Sequence, residues 1–399
     1  MKDRGQATNV MRRKTVREAS RRASSRLVVL LAVLSLSPFP FSLSSPSARA
    51  QGAWRRQSSG TMAWLRSVYF LDERRGWAVG GNGALLLTAD GGATWKVRAR
   101  PTEDALRDVY FSDAETGWLV CDRSIYALQT KDEPRSYLLR TTDGGATWKR
   151  VRATGDDVDV RLVRLLFAGR AHAWVFGEAG ALYASSDGGA TWARQRVPTR
   201  YLLLGGAFLA DAQTGWLVGA GSVFLQTSDS GATWRAGRVE TESALRPSLD
   251  AAAVNASASL ASSATAPAAS VSPRLNAVSF ADERRGWAVG AGGRIFHTAN
   301  GGHSWRAQAS NVSADLFDVK FFDAQEGWAA GANGTLLHTT DGGTLWQLVP
   351  SGTEHPLERL SFVGRTHGWA VGFGGTILHY SSAPQAPTST PSLKGVTRN

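Results

Sequence analysis

The chain has 399 residues, with 43 Gly, 15 Trp, a single Cys and a formal charge of +12, enough for one large domain or two ordinary ones. Ten of the basic but only two of the acidic residues fall in residues 1–50, which leaves 35 against 31, or +4, for the rest. Global charge therefore carries no case for a nucleic-acid partner, and a lone cysteine excludes an intrachain disulfide or a CxxC redox site.

Residues 1–50 read as an export signal. The basic MRRKTVREASRRASSR (11–26) precedes the apolar LVVLLAVLSLSPFPFSL (27–43), and SARA ends at Ala50 with small residues suited to cleavage. Arg21-Arg22 lacks the apolar residue that usually follows a twin-arginine pair. The expected destination is the periplasm, the cell envelope or a thylakoid lumen, with secretion as an alternative. Cys121, inside GWLVCDR, reads as a small buried apolar residue.

From residue 51 the chain repeats. Gly-Trp recurs at Trp77, Trp118, Trp216, Trp287, Trp328 and Trp369, and AWVFG puts Trp174 in the same role. The usual step is about 41 residues. The longer steps hold CDRSIYALQTKDEPRSYLL in the second unit and an Ala/Ser-rich stretch at 241–272, expected to be a flexible insertion.

Each unit carries four short alternating runs, in the first RSVYF, GWAVG, ALLLTA and TWKVR, with turn residues between them. These are strand candidates, and four-stranded units of this length suit the blades of a β-propeller. Runs three and four join through T-x-D-G-G-x-x-W turns bearing Asp90, Asp143, Asp187, Asp229, Asn300 and Asp341. Each turn ends on a further Trp: Trp95, Trp148, Trp192, Trp234, Trp305 and Trp346. The acidic residue can accept local backbone N–H groups and Gly can take positive φ. One carboxylate per turn is too few for a calcium cage, so neither a metal nor a cofactor is expected.

There are seven strand-two Trp residues but six strand-four Trp residues. The last unit stops in a Pro/Ser/Thr-rich tail, assigned to 381–399, where Pro387 stands in place of a Trp. At the other end, AWRRQ resembles TWARQ (191–195), and Trp54 precedes Trp77 by the spacing that separates Trp95 from Trp118. The expectation is therefore an all-β, seven-bladed propeller over residues 51–380. Residues 52–58 supply the fourth strand of its last blade; six blades plus a fragment is the alternative.

The repeated GWAVG…T-x-DGG-x-x-W pattern resembles the photosystem II stability and assembly factor family. The resemblance covers essentially all of 51–380. It implies a seven-bladed propeller that binds proteins without catalysis at the lumenal side of the thylakoid. The implied partner is a membrane-protein assembly intermediate: photosystem II reaction-centre components in a photosynthetic host, an envelope protein in another. A monomer is expected.

The same turns resemble the Asp-boxes (BNR repeats) of sialidases and other glycoside hydrolases, where they are structural. A glycan-binding or hydrolase-like propeller is thus the alternative. Glu178, Glu326 and Glu358 form no recognisable catalytic pair.

Loops at the propeller ends are the candidate binding surface. Arg66 and Arg107 occupy equivalent positions just ahead of Phe70 and Phe111, and Arg161 and Arg164 lie near the same place in the third unit. Arg74/Arg75 and Arg284/Arg285 recur in the DERRGW turns. Any of these could pair with a carboxylate or other anion. His297, His338 and His379 are also equivalent by repeat, but on separate blades they read as strand side chains, not metal ligands.

Overall fold

A computed structural model describes residues 52–128, 130, 133–153, 157–240 and 274–382. The expected export signal, the 241–272 insertion and residues 383–399 of the expected tail lie outside the described residues. Among the described residues no helix is long and apolar enough to cross a membrane.

Seven antiparallel sheets form the blades of the propeller. The innermost strands are Leu65–Phe70, Ala105–Phe111, Leu162–Ala168, Leu203–Phe208, Leu275–Phe280, Leu316–Phe321 and Leu357–Val363. Each runs from the end here called the mouth to the end that carries the Asp turns, and the register slips just after its first Leu, as at Leu65/Ser67 and Leu316/Asp318. That bulge turns the residue after the Leu toward the axis.

The ring closes as the Trp spacing predicts. Ala53–Gln57 pairs antiparallel with Ile377–Ser381, with Trp54 opposite Tyr380 and Ala53 opposite Ser381. The last strand thus takes in Ser381, one residue past the boundary assigned to the propeller. Blade five gains a strand that the repeat does not foretell, because Arg238–Val239 runs parallel to Ser304–Trp305 on its outer edge.

Aromatic residues hold the blades together. The strand-two Trp of one blade lies flat on the Phe that ends the inner strand of the next. The ring centroids are 3.7 Å apart for Trp77–Phe111, 3.5 Å for Trp174–Phe208 and Trp287–Phe321, and 3.4 Å for Trp216–Phe280 and Trp369–Phe70. Gly precedes Trp77, Trp216, Trp287 and Trp369, and a Cβ at Gly76 would sit 2.5 Å from the Phe70 ring; Ala173 stands in that place before Trp174. Indole N–H groups of Trp174, Trp216, Trp287 and Trp369 then donate to carbonyls in the Asp turn of the following blade.

The last blade has no such turn. Trp328 instead meets Trp54 edge-on at 5.5 Å, with Phe362 and Tyr380 alongside. Trp118 departs too, tilted against Phe167 at 4.7 Å. Of the strand-four Trp residues, Trp95, Trp234, Trp305 and Trp346 are buried, while Trp148 and Trp192 are half-buried.

The Asp turns are self-contained. Thr88 Oγ1 donates to Asp90 and accepts from Gly92 N–H, while Asp90 also accepts from the Thr94 N–H and hydroxyl at 2.9 and 2.6 Å. Gly91 and Gly92 sit at φ +72° and +87°, which a side chain resists. The Thr94 hydrogen bonds hold the Asp90 carboxyl down to about 2. Similar bonds organise Asp143, Asp187, Asp229, Asn300 and Asp341. Each turn also donates a backbone N–H to the strand one–two turn of its own blade, as from Gly91 to Arg74 and from Gly301 to Arg284.

A cationic funnel as the candidate functional site

The residue before six of the seven inner strands is fixed at the mouth by its own backbone. The carbonyls of Trp64, Arg161, Leu202, Arg274, Asp315 and Pro356 each accept an N–H from the loop joining strands two and three of the same blade. Side chains at this rim and at the bulge after each Leu enclose a recess of about 430 Å³ on the propeller axis. Its lining holds six arginines, Arg66, Arg107, Arg161, Arg164, Arg274 and Arg359, against one carboxylate, Glu358. Val163, Leu202 and Leu204 of blades three and four, with Phe317 of blade six, supply its apolar lining.

Each rim arginine is held in place by a carboxylate. Arg107 and Arg161 share one buried carboxylate, Asp122, at 2.6 and 3.0 Å, and Arg161 reaches Glu178 at 3.3 Å. Arg66 stacks over the Trp64 ring at 3.7 Å and approaches Glu358 at 3.6 Å; the Trp64 indole donates to that Glu at 2.9 Å. Burial lowers the Arg66 pKa, opposed by Glu358, and burial raises that of Glu358, opposed by Arg66. Arg274 lies 3.5 Å from Asp315 and is half-exposed.

Beneath the rim, ion pairs cross the axis. Arg164 of blade three lies 3.5 Å from Asp318 of blade six, and Arg359 of blade seven donates to Asp108 of blade two at 3.2 Å. Asp108 also accepts from Ser67 Oγ at 2.6 Å and Leu165 N–H at 2.9 Å, and Asp318 from Leu360 N–H at 2.9 Å. These carboxylates satisfy backbone N–H groups that an inner edge strand leaves open. Burial raises the pKa of both, opposed by Arg164. The floor is thus a buried network whose members depend on one another.

The structure therefore divides the arginines singled out from the sequence. It brings Arg66, Arg107, Arg161 and Arg164 to one funnel, with Arg164 in the floor. Arg74, Arg75, Arg284 and Arg285 lie at the opposite end. There Arg75 pairs with Asp72 at 2.9 Å and Arg285 with Asp282 at 2.6 Å, both exposed. Arg274 and Arg359 escape sequence reasoning, as does Trp64. Lining up the seven inner strands on their first Leu would have exposed the two arginines, and Trp64 is the one Trp of fifteen outside the repeat.

The remaining candidates stay apart. Glu358 is in the funnel, Glu178 on a rim loop with Arg135 and Arg161, and Glu326 at the Asp-turn end with His338 and Arg365. His297, His338 and His379 each lie beside the Trp of their own blade, at 5.0, 4.1 and 5.0 Å. Among the described residues no cluster of His, Cys, Asp and Glu suits a metal ion. Cys121 is fully buried, and burial raises its pKa.

The family model described as photosynthesis system II assembly factor YCF48 matches residues 46–137, 99–201, 191–308 and 272–381. No curated protein matches the chain in sequence. Among solved structures, YCF48 bound to D1 peptide is 22% identical over 83% of this chain and 97% of its own, with a TM-score of 0.62. YCF48 from Cyanidioschyzon merolae is 21% identical over 82% and 99%, with a TM-score of 0.61. The GH74 xyloglucanase from Xanthomonas campestris is 15% identical over 82% of this chain but only 53% of its own, at 0.55. At these identities the likeness shows the fold alone.

Proposed function

The chain belongs to the photosystem II assembly factor family YCF48, and on that premise we propose that its mouth binds an acidic segment of a membrane protein during assembly. The observation that carries this reading is the funnel lining of six arginines and one glutamate. Guanidinium groups offer several donors in a fixed fork that fits carboxylates, and a recess with low-dielectric walls strengthens the attraction. That a relative was solved bound to D1 peptide supports a membrane-protein partner of this kind.

The protein acts by binding, without catalysis. Glu326 lies at the Asp-turn end, and the two glutamates at the mouth are each engaged by arginines, Glu358 by Arg66 and Glu178 by Arg135 and Arg161, whereas a positioned pair of carboxyl groups is the requirement for glycosidase chemistry. The leader-like residues 11–50 support export, and an exported propeller would meet its partner on the non-cytoplasmic side of a membrane.

The test is affinity capture from solubilised membranes, and binding of a D1-derived peptide, with the protein and an Arg66→Gln/Arg107→Gln/Arg161→Gln variant. The variant is expected to lose the partner while keeping its fold, and binding to the unaltered protein should weaken with salt. Undiminished capture by the folded variant would exclude the mouth.

A further inference from the structure

Ion pairs cross the axis at the floor of the funnel, and the imbalance there indicates what it accepts. Asp108 accepts from Ser67, Val109, Leu165 and Arg359, so its lone pairs are spoken for by the protein itself. The guanidiniums beside it are not in the same state. Among the described residues Arg359 makes one hydrogen bond, at 3.2 Å, and Arg164 approaches Asp318 only to 3.5 Å. Both Nε groups are buried without a partner among the described residues. A guanidinium carries five N–H donors, so donors remain in excess over acceptors, and both side chains line the recess.

Resting on the reading of the mouth as a partner-binding site, we propose that the floor is a subsite for the terminal carboxylate of a peptide, with its last side chain apolar. The carboxylate lies against Arg164 and Arg359, and the side chain against Val163, Leu204 and Phe317. Two features favour a chain end over a passing loop. The ion pairs across the axis seal the floor, so a segment entering from the mouth cannot run through. The apolar lining begins at Val163, the residue before Arg164, which favours a ligand whose charge and apolar group lie close together.

The experiment titrates the protein by calorimetry with acetyl-Ala-Ala-Leu bearing a free carboxylate. The same peptide as its amide and acetyl-Asp-Leu-amide, an internal carboxylate, serve as controls. Amidation is expected to weaken binding about tenfold or more, as the loss of a charge-assisted hydrogen bond does. The internal carboxylate should bind as weakly as the amide. Arg359→Lys, which keeps the charge opposite Asp108 but removes the planar fork, should weaken the free acid similarly. Leu204→Glu, which tethers a competing carboxylate beside the floor without touching the ion pairs, should abolish binding; thermal unfolding of both variants checks the fold.

Equal binding of acid and amide overturns the proposal, as does equal binding of the internal carboxylate or no binding of the acid at millimolar concentration. If membrane-partner capture still needs Arg66, Arg107 and Arg161 while amidation is neutral, the floor site fails and the mouth stands. If the free acid binds but neutralising the rim leaves capture intact, the mouth reading fails and the floor site stands.

Discussion

The two ends of the propeller use the same strands to opposite effect. At the Asp-turn end the blades are near copies: a carboxylate tied to its own turn, a Gly pair at positive φ, and an indole from the preceding blade. At the mouth the backbone is equally regular, yet the bulge position holds Arg66, Arg107, Val163, Leu204, Asn276, Phe317 and Glu358 in turn. Where side chains hold neighbouring blades, the repeat leaves little choice. Where they face the axis, nothing in the repeat constrains them, and the ring becomes chemically lopsided. The asymmetry of the mouth is the part of the molecule that can recognise something.

Substitutions at the two ends should separate stability from binding. Trp174→Ala removes a buried indole stacked on Phe208 and should cost about 3–5 kcal/mol in denaturant unfolding. Asp318→Ala, at the floor, leaves Arg164 without its partner across the axis and should cost about 3 kcal/mol, so the mouth has one structural layer of its own. Replacing Arg66, Arg107 and Arg161 together with Gln, whose amide N–H groups still donate to Asp122 and Glu358, should weaken partner binding by at least about tenfold, ~1.4 kcal/mol, and lower the thermal midpoint less than Asp318→Ala does. A large drop in that midpoint would dissolve the distinction between the ends.

At the Asp-turn end, Asp187→Ala should cost about 1 kcal/mol and leave binding untouched. The sign of its pH dependence follows from the hydrogen bonds, led by the Thr191 hydroxyl, that hold the Asp187 carboxyl down to about 2. A depressed carboxylate stabilises above its unfolded value near 4 and loses that contribution as pH falls toward about 2. The variant should therefore show a shallower loss of stability over that window. Smallest of all, Arg74→Gln/Arg284→Gln should change neither stability beyond about 0.5 kcal/mol nor capture of the partner. Lost capture would move the binding face to the opposite end.

Most of the fold is written in its aromatic spacing. The step between Trp54 and Trp77 predicts the closing strand, and Ala53–Gln57 pairs where that step requires. The extra strand Arg238–Val239 has no such mark, because two residues paired in parallel carry no alternation to detect. The funnel is half legible for a related reason. Arg66 and Arg107 share a repeat position, but Arg274 precedes its inner strand and Arg359 follows the bulge. Residues at different offsets converge on the axis only once the strands are placed side by side. Arg75 and Arg285 show the converse: a recurring pair of arginines whose second member is tied to the Asp of its own turn.

The pairing of Ala53–Gln57 with Ile377–Ser381 also sets a timetable. Ala53–Gln57, made before the seven inner strands, has no partner until Ile377–Ser381 has been made, so the ring cannot close before that strand is complete. Blades one to six can collapse in order, but the Trp54–Trp328–Tyr380 cluster waits until Tyr380 has been made. A stop codon before Ile377 would therefore leave two loose ends rather than a slightly shorter propeller, whereas moving the chain termini to another blade junction would free that cluster from the wait.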